Sequence, residues 1–288
     1  MTRRLTPPPR AFVIGWPIKH SRSPLIHNYW LKTLGLEGSY ERIEVPPDDL
    51  ATFLASMRDN GFVGGNVTLP HKESAFELCG RRTATAEELG AVNTLWLDGA
   101  TLCGDNTDVG GFLASLDAEA PGWAQHCATA VVLGAGGAAR AIVQAILQRS
   151  KSTIFLVNRT REKALDLARQ FAAEIVVCDW TELSNLLEKA DLLVNTTSLG
   201  MAGQPALSVD IAAVPARAIV CDIVYVPLET ELLHAARHRG LKAVGGLGML
   251  LHQAVPGFER WFGRRPQVTA ELRALVEADV MAATAGKI

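Results

Sequence analysis

The sequence predicts an α/β protein of two domains, and three observations carry that prediction. Short β-branched runs alternate with amphipathic helical stretches along nearly the whole chain. A glycine cluster, Gly134-Ala135-Gly136-Gly137-Ala138-Ala139, joins the apolar run Val131-Val132-Leu133 to a helix-forming run that follows at once. Pro121-Gly122 stands just ahead of that strand and reads as a domain boundary. At 288 residues, 48% of them apolar, the chain is long enough for two cores of ordinary size.

Residues 1–10 read as a flexible tail ending in an extended proline segment. Residues 11–15 follow as a buried strand, and the polar loop after them leads to a helix with Ser23 as N-cap and Pro24 in its first turn. Leu25, Ile26, Tyr29, Trp30 and Leu34 recur at helical spacing until Gly35 closes that segment. Residues 40–45 predict a strand, 48–57 a helix, and 62–67 a strand that runs into Thr68-Leu69-Pro70-His71-Lys72. A short helix at 84–89 and apolar runs at 91–97 and 101–103 bring the chain to Gly104-Asp105-Asn106-Thr107-Asp108. A helix through Phe112 and Leu116 then reaches the boundary.

Past the glycine cluster, residues 153–157 predict a second buried strand, which completes a βαβ unit of roughly 30 residues. Helices near 161–171 and 182–188 alternate with strands near 175–177, 192–194 and 218–223, the pattern of a mostly parallel sheet with helices on both faces. Beyond Gly245-Gly246 the chain reads as helical and is expected to pack back on the first domain. The expected division is residues 11–118 with 250–288 in one domain and 119–249 in a doubly wound second domain.

Net charge is −2, which gives no reason to expect nucleic acid or an anionic membrane as partner. The basic opening lacks the apolar core of a secretory signal, and no run of ~20 apolar residues predicts a membrane span. Five scattered cysteines without a C-x-x-C pair point to buried thiols in a reducing compartment, so a cytoplasmic location and no metal site are expected. His71 and His252 read as structural.

Gly134, Gly136 and Ala139 fit the G-x-G-x-x-G/A dinucleotide fingerprint of a Rossmann-type fold, in which backbone N–H groups meet a pyrophosphate at a helix N-terminus. An NAD-specific site places an acid after the next strand, for the ribose 2′-hydroxyl. Here the residues are Asn158-Arg159-Thr160-Arg161. A guanidinium can fork onto a 2′-phosphate, so NADP is favoured, with Thr160 as the N-cap of the next helix.

Three polar clusters in the first domain fall where apolar runs give way to loops: Ser21 with Ser23, residues 66–72, and Asn93-Thr94 with Asn106-Thr107-Asp108. Their hydroxyls, amides, one ammonium and one carboxylate suit a small polyhydroxylated acid. Lys72 and Asp108 stand out, because reducing a carbonyl needs a proton as well as a hydride. Spacing alone does not bring them together.

With these residues in view, the chain resembles the shikimate dehydrogenase family from Ala11 to its last helix. The resemblance rests on Ser21-Arg22-Ser23-Pro24, Asn66-Val67-Thr68-Leu69-Pro70-His71-Lys72, Gly90-Ala91-Val92-Asn93-Thr94, Gly104-Asp105-Asn106-Thr107-Asp108 and the glycine turn. It extends through Asn158-Arg159-Thr160, Asn195-Thr196-Thr197-Ser198-Leu199-Gly200-Met201, Asp222-Ile223-Val224-Tyr225-Val226-Pro227 and the run from Gly245 to Gln253. Each is weak alone; their order is specific.

The resemblance implies that Ser21, Ser23, Thr68, Lys72, Asn93, Asp108, Tyr225 and Gln253 bind substrate, with Lys72 and Asp108 as the catalytic pair. It assigns Gly134, Gly136, Gly137 and Ala138 to the pyrophosphate, Asn158, Arg159 and Thr160 to the adenosine phosphate, and Met201 and Gly246 to the nicotinamide. The implied reaction is reversible, NADPH-dependent reduction of 3-dehydroshikimate to shikimate, a step of chorismate and aromatic amino-acid biosynthesis. A quinate/shikimate dehydrogenase with relaxed substrate or cofactor choice is the nearest alternative. A non-catalytic NADP-binding regulatory protein is the alternative from another class, and the presence of both Lys72 and Asp108 argues against it. A homodimer is admitted, with the oligomeric state left open.

Overall fold

The strand-forming runs assemble into two six-stranded sheets in the computed structural model, which describes residues 7–171 and 175–285. The first sheet contains β1 (Arg10–Gly15), β2 (Ser39–Glu44), β3 (Phe62–Val67), β4 (Arg81–Arg82), β5 (Thr94–Asp98) and β6 (Thr101–Asp105), in the order β2-β1-β3-β5-β6-β4. Its core strand β1 runs parallel to β2 and β3, whereas β5 pairs antiparallel with both β3 and β6. The apolar runs at 91–97 and 101–103 are thus a hairpin, turned by two residues including Gly99 at φ 58°.

Around this sheet lie α1 (Ser23–Thr33), α2 (Leu50–Ala55), α3 (Lys72–Leu78) and α4 (Ala84–Leu89). Phe12 on β1 meets Phe53 and Phe62 edge-on at 5.1 and 5.2 Å, within a core that includes Ile14, Leu54, Met57 and Leu95. The helix expected at 48–57 is split, opening as a 3₁₀ turn at Pro47–Asp49 before α2.

Two further helices, α5 (Asp108–Glu119) and α6 (Trp123–His126), lead to the second sheet. It comprises β7 (Thr129–Leu133), β8 (Thr153–Val157), β9 (Ile175–Cys178), β10 (Leu192–Asn195), β11 (Ile219–Asp222) and β12 (Lys242–Gly245), all parallel, in the order β12-β11-β10-β7-β8-β9. Its connecting helices are α7 (Gly137–Arg149), α8 (Arg161–Gln170), α9 (Leu183–Leu187) and α10 (Glu231–His238). The strand order reverses between β7 and β10, and at such a switch point the carboxyl ends of the strands form a ligand crevice. The last helices are α11 (Gly246–Phe262) and α12 (Ala270–Ala285).

Contacts divide the chain into one unit running through Thr107 and resuming at Gln253–Val276, and a second of Asp108–His252 with the chain from Glu277. By contacts α5 therefore goes with the second unit, whereas the expectation kept its residues up to 118 with the first. Asp117 explains it: its carboxylate takes Trp123 Nε1 at 2.8 Å and Arg149 Nη1 at 2.9 Å, fastening α5 to α6 and α7. On the C-terminal side, Trp261 Nε1 donates to Leu95 O at 2.8 Å and Trp30 Nε1 to Gln267 O at 3.0 Å, so residues 253–276 group with the first sheet, whereas residues 277–285, which the expectation also assigned there, group with the second unit.

Other expectations need correction. Of the tail at 1–10, residues 1–6 lie outside the described ones, and Arg10 already opens β1, paired with Glu41 at 2.8 Å. Ser23 does not cap α1; Arg22 holds that position and Ser23 is the first helical residue, its N–H bonded to Ser21 Oγ at 3.3 Å. Thr160 stands at the N-cap of α8 but makes no side-chain cap, and its carbonyl accepts Asn158 Nδ2 at 2.7 Å.

Candidate active site

In the first unit the expected substrate residues stand on the segments beside β1, β3 and β5 and on α1, α3 and α11. Ser21 and Ser23 follow β1 and share a hydroxyl contact of 3.3 Å, while Thr68 follows β3 with its N–H on Ile14 O at 2.9 Å. Lys72 begins α3, and its carbonyl accepts Val92 N–H at 2.9 Å.

Asn93 is the junction of this cluster. It is buried at 3% exposure, and its Oδ1 accepts from Thr107 N at 2.8 Å, Thr107 Oγ1 at 3.1 Å and Thr94 Oγ1 at 2.9 Å. Its Nδ2 reaches Gln253 Oε1 at 3.5 Å, and the Thr107 hydroxyl reaches the same oxygen at 3.5 Å, both at the outer limit of a hydrogen bond. The residue after Thr107 is Asp108, which opens α5 and is buried.

One residue of this network, Tyr40, lies outside the expected clusters, and Asn66 lies in one of them without an assigned role. Asn66, at 5% exposure, donates through Nδ2 to Asn93 O at 3.1 Å and Thr94 Oγ1 at 3.2 Å, and Tyr40 donates its hydroxyl to Asn66 Oδ1 at 2.6 Å. The available signal for Tyr40 was its place as the buried residue in an otherwise partly exposed strand, β2. For Asn66 it was an amide inside an apolar run, where burial demands partners. Burial pushes the Tyr40 phenol well above its ordinary pKa, so it stays a donor. His71 takes a structural place, its Nε2 2.8 Å from Val45 O.

In the second unit the glycine turn sits at the carboxyl end of β7, at the switch point. Gly134 adopts φ 107°, and a Cβ there would stand 2.6 Å from Thr196 Oγ1, so only glycine fits between the ends of β7 and β10. Its N–H bonds Val157 O at 2.9 Å, which holds the turn beside Asn158, Arg159 and Thr160 at the end of β8. Gly136 and Gly137 are exposed, and a Cβ at either would meet open space. No side chain caps α7, a helix of 13 residues, and Ala138 lies in its first turn. Such a terminus presents N–H groups and partial positive charge to an anion, and the residues present therefore fit a dinucleotide pyrophosphate. Arg159, the residue expected at a 2′-phosphate, is exposed after β8.

Met201 and Tyr225 come from the loops after β10 and β11, and Gly246 opens α11 directly after β12. Ala202 N bonds Val226 O at 2.8 Å, and Gly246 N bonds Val224 O at 3.3 Å. The backbone next to Met201 is thereby joined to that next to Tyr225, and Gly246 to the same stretch.

Models of a shikimate dehydrogenase substrate binding domain, a shikimate / quinate 5-dehydrogenase and a shikimate 5'-dehydrogenase C-terminal domain match residues 13–95, 118–216 and 246–275. The shikimate dehydrogenase (NADP(+)) of Methylocella silvestris is 60% identical over 272 residues, 94% of this chain and 97% of that protein. The chain belongs to the shikimate dehydrogenase family.

Solved members of the family superpose closely. Quinate dehydrogenase from Corynebacterium glutamicum, in complex with NAD, matches with a TM-score of 0.87 at 31% identity, covering 94% of this chain and 99% of that one. Shikimate 5-dehydrogenase from Thermus thermophilus, in complex with NADP(H) and shikimate, matches with a TM-score of 0.82 at 36% identity, covering 96% and 99%. These two relatives hold different nucleotides on similar folds, so the choice of cofactor lies in local side chains. No helix among the described residues is long and apolar enough to cross a membrane.

Proposed function

We propose that this chain catalyses the reversible reduction of 3-dehydroshikimate to shikimate with NADPH, as an oxidoreductase acting on a CH–OH group in chorismate and aromatic amino-acid biosynthesis. The observation that carries the reading is the single hydrogen-bonded junction at Asn93, which gathers Thr107 and Gln253 while its neighbour Val92 holds Lys72. Hydroxyl and amide groups of Ser21, Ser23, Thr68, Asn93 and Gln253 supply the donors and acceptors that a hydroxylated carboxylic acid needs. Tyr225 is assigned a place beside the substrate. The free state of all five buried cysteines supports a cytoplasmic location for the reaction.

NADPH, when bound, supplies the hydride that reduces the carbonyl carbon. The glycine turn with Ala138 holds its pyrophosphate, Arg159 with Asn158 and Thr160 its 2′-phosphate, and Met201 and Gly246 its nicotinamide end. Lys72 donates the proton that the carbonyl oxygen takes up, and its ammonium stabilises the negative charge developing there. Asp108 is the second member of the catalytic pair and binds a substrate hydroxyl. In the oxidative direction Lys72 accepts the proton back.

A spectrophotometric assay of shikimate and quinate, each with NADP and NAD, tests the reading. Turnover fastest with shikimate and NADP is expected. The likeness to a quinate dehydrogenase makes quinate with NAD the informative competitor, and faster turnover there would replace the proposed activity.

A further inference from the structure

We propose that the buried carboxylate of Asp222, acting through Asn195, is the positioning element for the nicotinamide end of the cofactor site. The inference rests on the proposed placement of Met201 and Gly246 beside that ring.

Asp222 ends β11 at 1% exposure, and every partner it has is a donor. Its Oδ1 accepts Asn195 Nδ2 at 2.9 Å and Val224 N at 3.0 Å, and its Oδ2 accepts Thr230 Oγ1 at 2.8 Å. Burial raises its pKa, and these three hydrogen bonds act in the opposite direction by favouring the charged form. A carboxylate accepts at both oxygens, so it satisfies all three donors at once.

Asn195 ends β10, the neighbouring strand, and is wholly buried. With Nδ2 held by Asp222, its Oδ1 is turned to accept Thr197 N at 3.0 Å and Thr197 Oγ1 at 2.7 Å. The Thr197 hydroxyl in turn accepts Leu199 N at 3.1 Å, and Met201 N bonds Ser198 O at 3.2 Å. A chain of oriented bonds thus runs from Asp222 to the turn that presents Met201.

The same carboxylate fixes the second and third segments. Its bond to Val224 N sets the residue whose carbonyl accepts Gly246 N, where a Cβ would stand 2.0 Å from Ile223 O. Thr230, its third partner, caps α10 by accepting Leu233 N at 3.3 Å. Segments near residues 201, 225 and 246, distant in sequence, therefore share one buried anchor. Asp222 touches neither substrate nor cofactor in this arrangement; it sets the backbone that does.

The test compares two probes on the full chain: NADPH, which needs the nicotinamide end, and 2′,5′-ADP, which lacks it. Thr197→Val removes only the last hydroxyl of the relay and Asn195→Ala cuts it in the middle, whereas Asp222→Ala removes its root and Asp222→Asn keeps an oxygen for Asn195 and Val224. We expect the first two variants and Asp222→Ala to weaken NADPH about tenfold while 2′,5′-ADP stays within about twofold, with Asp222→Asn losing less than about threefold; an Asp222→Ala chain that keeps NADPH affinity would overturn the role of Asp222. Turnover should fall in the first two with the KM for shikimate nearly constant. Equal weakening of both probes would mark a merely structural role and overturn the proposal, as would unchanged NADPH affinity. A wild-type chain that binds NADPH but turns over no shikimate would sink the proposed activity, and the two-probe comparison would still decide the role of Asp222.

Discussion

The carbonyl of Lys72 accepts the amide of Val92 at 2.9 Å, and this one bond ties the start of α3 to the segment that precedes β5. The next residue, Asn93, takes Thr107 N on its side chain at 2.8 Å, which fixes the chain immediately before Asp108. Two residues 36 positions apart in sequence are thereby referred to one dipeptide. On the proposed reading Lys72 supplies the proton for carbonyl reduction, and the glycine turn holds the cofactor. Lys72→Ala should lower kcat by about two to four orders of magnitude with little change in NADPH affinity. Steady-state kinetics with fluorescence titration of NADPH checks this; parallel loss of both would assign Lys72 to folding or to cofactor binding.

Asn93 has a double role, since the same Oδ1 holds Thr107 N and two hydroxyls. Replacing it by alanine strands those buried donors, and a cost of about 2–4 kcal/mol in stability is expected. The KM for shikimate should rise with it. Denaturant unfolding beside kinetics separates the effects, and an unaltered unfolding midpoint would show that the junction is not structural.

Cofactor choice should reside in Arg159, exposed at the end of β8 with no acid in the Asn158-Arg159-Thr160 run. Arg159→Ala is expected to reduce the preference for NADPH over NADH by about one to two orders of magnitude, chiefly through the KM for NADPH. An unchanged ratio of kcat/KM for the two nucleotides would remove Arg159 from the 2′-phosphate site.

Much of this was legible in the sequence because local rules and tertiary demands coincide in the second unit. A buried parallel strand, a glycine turn and a helix are each written in contiguous residues, so β7, Gly134 and α7 are read directly. The first unit is harder. Ser23 has the residue type and place of an N-cap, yet Ser21 next to it captures its N–H and shifts the helix start by one residue. That α5 groups by contacts with the second unit was not legible, because Asp117 bonds Arg149 across 32 residues and no local pattern announces it. Tyr40 escaped for the same reason: its value lies in a hydrogen bond to Asn66 between two strands, β2 and β3, that are not even adjacent in the sheet.

His27 gives a prediction about acid stability. The ring is wholly buried, stacked at 4.0 Å on Tyr40 and flanked by Trp30, Phe258 and Trp261. Neither ring nitrogen makes a well-formed hydrogen bond. Burial pushes its pKa down to about 3, with the Asn66 side chain opposing the shift. The folded state therefore keeps His27 neutral where the unfolded chain, with an ordinary histidine pKa, binds a proton. Between pH 6.5 and about 3 the unfolded state binds more protons at this residue, so its contribution to stability is complete above pH 6.5 and falls as pH drops through that window. From pH 7 to pH 5 the loss amounts to ~2 kcal/mol for a wholly buried imidazole. His27→Phe retains an aromatic ring in the stack and removes the titration, so its unfolding free energy should decline by ~2 kcal/mol less than that of the wild type over the same interval. Urea unfolding of both proteins at pH 7, 6 and 5 measures the difference, and parallel pH profiles would mean that the imidazole is hydrated or charged in the folded protein.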